Sequence, residues 1–132
     1  MNITSEDIKD IIESDSDLGL EFGTDIFIGQ EPANPINTIT IFDTNGYPPK
    51  DGLTDLGYEC PSVQIRIRND NYKDAAEMAQ NIKTLLHGRA NETWNNTRYI
   101  IIQVASGPAF LDWDNGEHAR FIINFNIQRE AV

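Results

Sequence analysis

The chain has 132 residues, 39% of them apolar, and a formal net charge of −11. That is one domain's length, large enough to bury a core without staples, and its single cysteine, Cys60, excludes a disulfide framework or a zinc site built on several thiolates. The longest apolar run is four residues, Tyr99 to Ile102, against the roughly 20 of a membrane helix. Met1-Asn2-Ile3-Thr4-Ser5-Glu6-Asp7 has neither the basic nor the apolar region of a secretory signal, so no export is expected.

The first element is a short amphipathic helix. Thr4 or Ser5 is placed to cap it, Glu6 and Asp7 suit the positive end of the dipole, and Ile8, Ile11 and Ile12 recur at helical spacing up to about Ser14. Asp25 to Ile28 reads as a strand stopped by Gly29, and Pro32 and Pro35 punctuate the turn beyond it. Thr38-Ile39-Thr40-Ile41-Phe42 is β-branched and alternates, with Ile39 and Ile41 on one face and Thr38, Thr40 and Phe42 on the other. Residues 43–60 hold Asn45-Gly46, Pro48-Pro49, Asp51-Gly52 and Gly57 and read as a long irregular loop. A loop of that length in a small domain is either a functional arm or a solvated connection.

Val63 to Arg68 is the clearest strand, with Val63, Ile65 and Ile67 opposed to Gln64, Arg66 and Arg68, as in a sheet covered on one side. Tyr72 to Leu86 is the clearest helix. Asn69, Asp70 or Asn71 can cap it, Ala75, Ala76, Ala79, Ile82, Leu85 and Leu86 form its apolar stripe, and Gly88 stops it. Arg89 to Thr97 is polar and reads as a loop holding Trp94. Arg98 to Ala105 is a strand broken at Gly107-Pro108, and Phe110 to Asp114 is a short strand entering Asn115-Gly116. That dipeptide favours a tight hairpin turn with two positive φ angles. Ala119 to Gln128 returns with Phe121, Ile123, Phe125 and Ile127 on one face. The expected fold is α+β: one domain over residues 1–132, with a mostly antiparallel sheet of four to six strands and two main helices packed on one face.

No constellation carries catalysis. Asp112, Asp114, Asn115 and Glu117 look like a calcium loop, but counted from Asp112 the glycine comes one position too early, so a polar hairpin turn is the better reading. His87 and His118 lie in no ligand-spaced motif, and Cys60 has only Glu59 beside it, which disfavours a thiolate. The glycines form neither a phosphate loop nor a dinucleotide fingerprint. No catalytic residue, metal site or cofactor is expected.

The charge is lopsided. Residues 1–60 carry 13 acids and 2 bases, whereas residues 61–132 carry 8 of each. With no basic excess anywhere, phosphate-driven nucleic-acid binding is disfavoured. The acidic half is open to three readings: a solvated surface, a dock for a basic partner, or the lining of a passage that must not retain DNA. Arg66 and Arg68 share one polar strand face. They suit surface ion pairs, or, in a symmetric assembly, docking of the acidic half of the next subunit. Trp94 and Trp113 stand beside polar turns as contact candidates, with one of them expected to fold back on the core.

From Cys60 onward the pattern becomes more particular: Cys60-Pro61-Ser62-Val63-Gln64-Ile65-Arg66-Ile67-Arg68, the helix from Tyr72-Lys73-Asp74-Ala75-Ala76-Glu77 to Leu85-Leu86-His87-Gly88, the strand Tyr99-Ile100-Ile101-Ile102-Gln103, Gly107-Pro108 with Asp112-Trp113-Asp114, and Arg120 to Ile127. Over roughly residues 55–130 this resembles the minor capsid, or tail terminator, proteins of long-tailed bacteriophages. No single residue is a signature.

The resemblance implies a structural virion protein of the tail or neck, assembled in the host cytoplasm. Such proteins form a hexameric ring that caps the tail tube, ends its growth and meets the neck of the filled head, with DNA passing through the centre. The implied partners are further copies of the chain, a tail tube protein and a head-completion or neck protein, with no membrane. Arg66, Arg68, Trp94, Asp112, Trp113 and Asp114 are then the candidate interface residues, and an acidic lumen would repel phosphates. Other readings are a head-completion or neck adaptor, an acidic inhibitor that mimics DNA, and an enzyme holding a divalent metal on Asp112, Asp114 and Glu117.

Overall fold

The computed structural model describes residues 3–47 and 57–130. In chain order the elements are α1 (Thr4–Ser14), β1 (Ile26–Ile28), β2 (Thr38–Tyr47), β3 (Tyr58–Asn69), α2 (Tyr72–Leu86), β4 (Ala90–Trp94), β5 (Thr97–Trp113) and β6 (Ala119–Glu130). The six strands form one sheet in the order β1-β2-β3-β6-β5-β4. Among the named strands of the described residues only β1 and β2 pair in parallel; every other pairing is antiparallel. The class is the expected α+β.

Register sorts the side chains into two faces. Ile39, Ile67 and Phe121 stand in one row and Ile41, Ile65 and Ile123 in the next. These point to the side on which α1 and α2 pack, and they share a buried core with Ile8, Ile11, Ile12, Ala75, Ala79, Ile82 and Leu86. Burying each of these isoleucines contributes roughly 1.5–3 kcal/mol. The alanines of α2 let its axis approach β6, β5 and β3. The other face carries the rows Thr38–Arg68–Arg120, Thr40–Arg66–Ile122 and Phe42–Gln64–Asn124. No helix among the described residues covers this outer face. It is knit by side chains, with Gln64 donating to Asn124 at 3.2 Å and Asn124 donating to Ser106 at 2.9 Å.

Helix α2 has the predicted bounds, and of the three candidate caps Asn71 does the work, its side chain accepting from the Asp74 N–H at 3.0 Å. Helix α1 starts differently. Its N-cap is Ile3, which has no capping side chain, and Thr4 and Ser5 lie buried in the first turn. The end is closed by tertiary structure instead: Asp43 of β2 accepts from the Ser5 N–H at 3.0 Å and from its hydroxyl at 2.6 Å.

Strand β2 continues through Asn45-Gly46 to Tyr47, and β3 begins at Tyr58, so strands enter the expected 43–60 loop from both sides. Residues 48–56 lie outside the described residues. The strands survive Gly46 because a register shift between Thr44 and Tyr47 absorbs it, and a Cβ there would sit 1.9 Å from the Cys60 carbonyl oxygen.

Three further corrections concern β4 and β5. The polar stretch around Trp94 is a strand, β4, joined to β5 by Asn95-Asn96 with both φ angles positive, at 51° and 66°. That is the two-residue turn whose twist matches a hairpin. Gly107-Pro108 does not break β5, which runs 17 residues. Register shifts on both sides of Ser106, and again between Phe110 and Asp112, bend the strand and keep it paired with β6. The β5–β6 hairpin exists, but its positive φ falls on Glu117, at 62°, and not on Asn115-Gly116. The Glu117 N–H closes the turn on the Asp114 carbonyl at 2.9 Å, and the Asp114 carboxylate accepts from the Gly116 and His118 N–H groups.

A buried polar cluster fastens α1 at one end of the sheet. Asp7 accepts from the Tyr99 hydroxyl, and Arg129 donates to Tyr99 at 3.1 Å and to Glu59 at 2.5 Å. Asn95, in the β4–β5 turn, donates to Asp7 and Asp10. Burial first, then the Asp7 hydrogen bond, pushes the Tyr99 hydroxyl far above its ordinary pKa.

Candidate assembly surfaces

The sequence-predicted residues do not converge on one site. Arg66 and Arg68 do share the outer face of β3 with Gln64, in successive rows, but their surroundings differ sharply.

Arg68 is 6% exposed and committed inside the subunit. Its Nε donates to the Ile36 carbonyl at 2.8 Å, one Nη reaches the Pro32 and Pro35 carbonyls, and the other meets Glu31 at 3.3 Å. One planar guanidinium thereby clasps the proline loop of residues 31–36 over the sheet. Arg120, opposite it on β6, binds Asp112 through two hydrogen bonds of 2.6 Å and Glu31 through one of 2.9 Å. Asp114 lies 3.8 Å from Arg68 and 3.0 Å from the His118 ring. Asp112 and Asp114, expected at an interface, are thus tied into this network. Together with Ile36, Ala33 and Trp113 its residues line an open cavity of about 490 Å³.

The electrostatics follow from these contacts. The Arg120 hydrogen bonds hold the Asp112 carboxyl below the ordinary range. Burial pushes Asp114 up, but the His118 and Gly116 hydrogen bonds outweigh it and the net shift is downward. Asp112 pushes the Arg120 guanidinium up in turn. Among the described residues no group of three or more His, Cys, Asp or Glu side chains is arranged to hold a metal ion.

Arg66 has no carboxylate within 4.0 Å among the described residues; its guanidinium lies over the Phe42 ring, 5.1 Å from the centroid. The Nε is buried and unpartnered, as are the Thr38 and Thr40 hydroxyls beside it.

The tryptophans divide as the sequence suggests. Trp94 is half-buried against the core, with its Nε1 donating to Glu92 at 3.0 Å. Trp113 is 53% exposed. It packs on Tyr72 with ring centroids 5.9 Å apart and on Phe110 at 5.6 Å, and both of those rings also meet Phe121. The result is an aromatic platform at the tip of the β5–β6 hairpin, beside the start of α2. Tyr72 and Phe110 escape a sequence reading because they lie far apart in the chain and only the α2–β5 packing joins them. Glu31 escapes it because a lone acid among prolines has no periodicity. Met78, Leu18 and Leu20 are partly buried and pack against the core.

No helix among the described residues is long and apolar enough to cross a membrane. A search of curated proteins finds no match. Among solved structures, a chain of the virion of a native gene transfer agent particle matches with a TM-score of 0.73 and 13% identity, covering 97% of this chain and 95% of that one. At that identity the likeness speaks for the fold. The family model described as bacteriophage tail terminator protein matches residues 15–131, from the end of α1 to the end of β6. A match over nearly the whole chain, on an α+β scaffold of the expected class, places this protein in the bacteriophage tail terminator family.

Proposed function

We propose that this chain assembles into a ring, hexameric in the family's manner, that caps the finished tail tube, ends its growth and joins tail to head while DNA passes through the centre. The family is one of structural virion proteins, not of enzymes. The observation that carries the proposal is the family match over residues 15–131. Two physical features support it. The exposed aromatic platform around Trp113 has the composition of a protein-contact hot spot. The acidic excess of residues 1–60 suits a passage that repels phosphate.

The test is tail length. Tube protein from the same phage is assembled with and without this chain, and the tubes are measured by electron microscopy. Uniform, capped tubes with the chain present and overgrown tubes without it are the expected result. Equal length distributions would overturn the capping role, and association with head-completion protein alone would make the chain a neck adaptor.

A further inference from the structure

We propose that the outer sheet face around Arg66 seats a second copy of this chain, and that the seated part is the acidic segment between α1 and β1, residues 15–25. This rests on the ring reading above and names where neighbouring subunits meet.

The argument begins with the arginines. Five of the six arginines have a carboxylate within 3.3 Å: Arg68 with Glu31, Arg89 with Glu92, Arg98 with Glu130, Arg120 with Asp112 and Arg129 with Glu59. Arg66 stands apart, half-buried on a central strand with its guanidinium over the Phe42 ring; it makes no ion pair within 4.0 Å among the described residues, and Asp112 feels its charge from farther away. Of the four buried side-chain polar atoms without a partner among the described residues, two lie in its own row, Arg66 Nε and Thr40 Oγ1; Thr38 Oγ1 lies in the next row, and Glu31 Oε2 belongs to the Arg68–Arg120 network. A chain of net charge −11 that leaves one arginine without an ion pair, beside the neutral and partly exposed Gln64, Ile122 and Asn124, presents a cation-centred surface.

Its complement lies elsewhere on the same molecule. No lysine or arginine occurs between Lys9 and Lys50. Within that stretch Asp15, Asp17, Glu21 and Asp25 crowd the connection from α1 to β1. Asp17 and Glu21 are exposed, and neither carboxylate enters an ion pair among the described residues. Leu18 and Leu20 anchor this connection to the core on the helix side of the sheet, whereas Arg66 is on the opposite side. One copy therefore does not bring its own Asp17 or Glu21 to its own Arg66, but a neighbour can. A contact of unlike patches is head-to-tail, the kind that closes into a ring when the rotation permits.

A charge swap tests this, read by sedimentation velocity in solution and by occupancy of assembled tube ends. Arg66→Glu, and separately the double change Asp17→Lys with Glu21→Lys, should each weaken association roughly tenfold or more. Mixing the two variants should restore it, because alternating subunits then match at every contact. The triple variant should restore it within one chain. Asp17 and Glu21 are exposed, so the double variant reports on the surface even where Arg66→Glu perturbs folding. Wild-type association by Arg66→Glu overturns the proposed surface and leaves the ring intact. Loss with Arg66→Glu but none with the lysine pair overturns the acidic segment as occupant. Unchanged association with altered DNA retention would assign the face to nucleic acid and overturn the proposal. A wild type monomeric both in solution and on tube ends overturns the ring reading as well.

Discussion

Arg68 shows how much one side chain can organise. Its fork reaches three loop carbonyls and Glu31, so its removal strands groups that are out of reach of water. Arg68→Met should destabilise the fold by about 3 kcal/mol, read as a lower urea midpoint. Arg68→Lys should recover little, since an ammonium cannot span the fork. The Asp112 and Asp114 carboxyls are held below their ordinary range, so their contribution is present above the unfolded pKa of about 3.9 and is lost as pH falls through the folded values. Asp112→Asn with Asp114→Asn should therefore flatten the acid limb of a stability curve below about pH 4. An unchanged limb would show that the network does not couple to folding. The alternation of β3 made it legible that Arg66 and Arg68 share a face. That one is clasped and the other left open was not legible, because the clasp is made by a proline loop 32 or more residues away.

At the scale of elements, α1 is the piece held least by the chain's own propensity. It lacks a side-chain cap and is closed by Asp43 at one end, while Asp7 is buried against Tyr99 in the middle. Tyr99→Phe leaves Asp7 and Arg129 without that hydroxyl and should cost about 1–3 kcal/mol. It should also change the alkaline limb. A group whose folded pKa is raised stabilises below its unfolded value, near 10, and that stability is lost above it, so the phenylalanine variant should lose less on going to high pH. Strand β5 depends on Gly107, with φ at 89° and a Cβ position 2.6 Å from the Ile122 carbonyl oxygen. Gly107→Ala should lower the melting temperature by several degrees through about 1–3 kcal/mol of strain. A neutral result would show that the strand re-registers around the bulge.

At the scale of the whole molecule, the sheet separates two jobs. One face makes the core with the helices; the other carries polar side chains, among them Arg66, Gln64 and Asn124. The platform of Tyr72, Phe110 and Trp113 sits at the hairpin tip, away from the buried Asp7 cluster. On the ring reading, Trp113→Ala should weaken attachment to tube or neck protein by about 2 kcal/mol, seen as loss of co-sedimentation. Stability should change by less than about 1 kcal/mol, because half of the side chain is already in water. Attachment equal to wild type would remove the platform from the contact.

What the sequence by itself determined is what repeats at short range. Period-two alternation placed Ile39, Ile41, Val63, Ile65, Ile67, Phe121 and Ile123 inside, and the alanine stripe bounded α2, because burial of regularly spaced apolar groups acts on any chain with that pattern. Charge counting exposed the acidic half in the same way. What only the tertiary structure decided is what depends on a distant partner. Strand β4 is polar and exists by pairing with β5. Strand β5 crosses Gly107-Pro108 because β6 holds it on both sides. Ser5 is not the cap but lies in the first turn, where Asp43 accepts from its N–H and hydroxyl. The fates of Arg66 and Arg68 part for the same reason: a hydrogen bond is decided by which groups the fold brings within 3 Å or so, and neighbours along the chain do not report that distance.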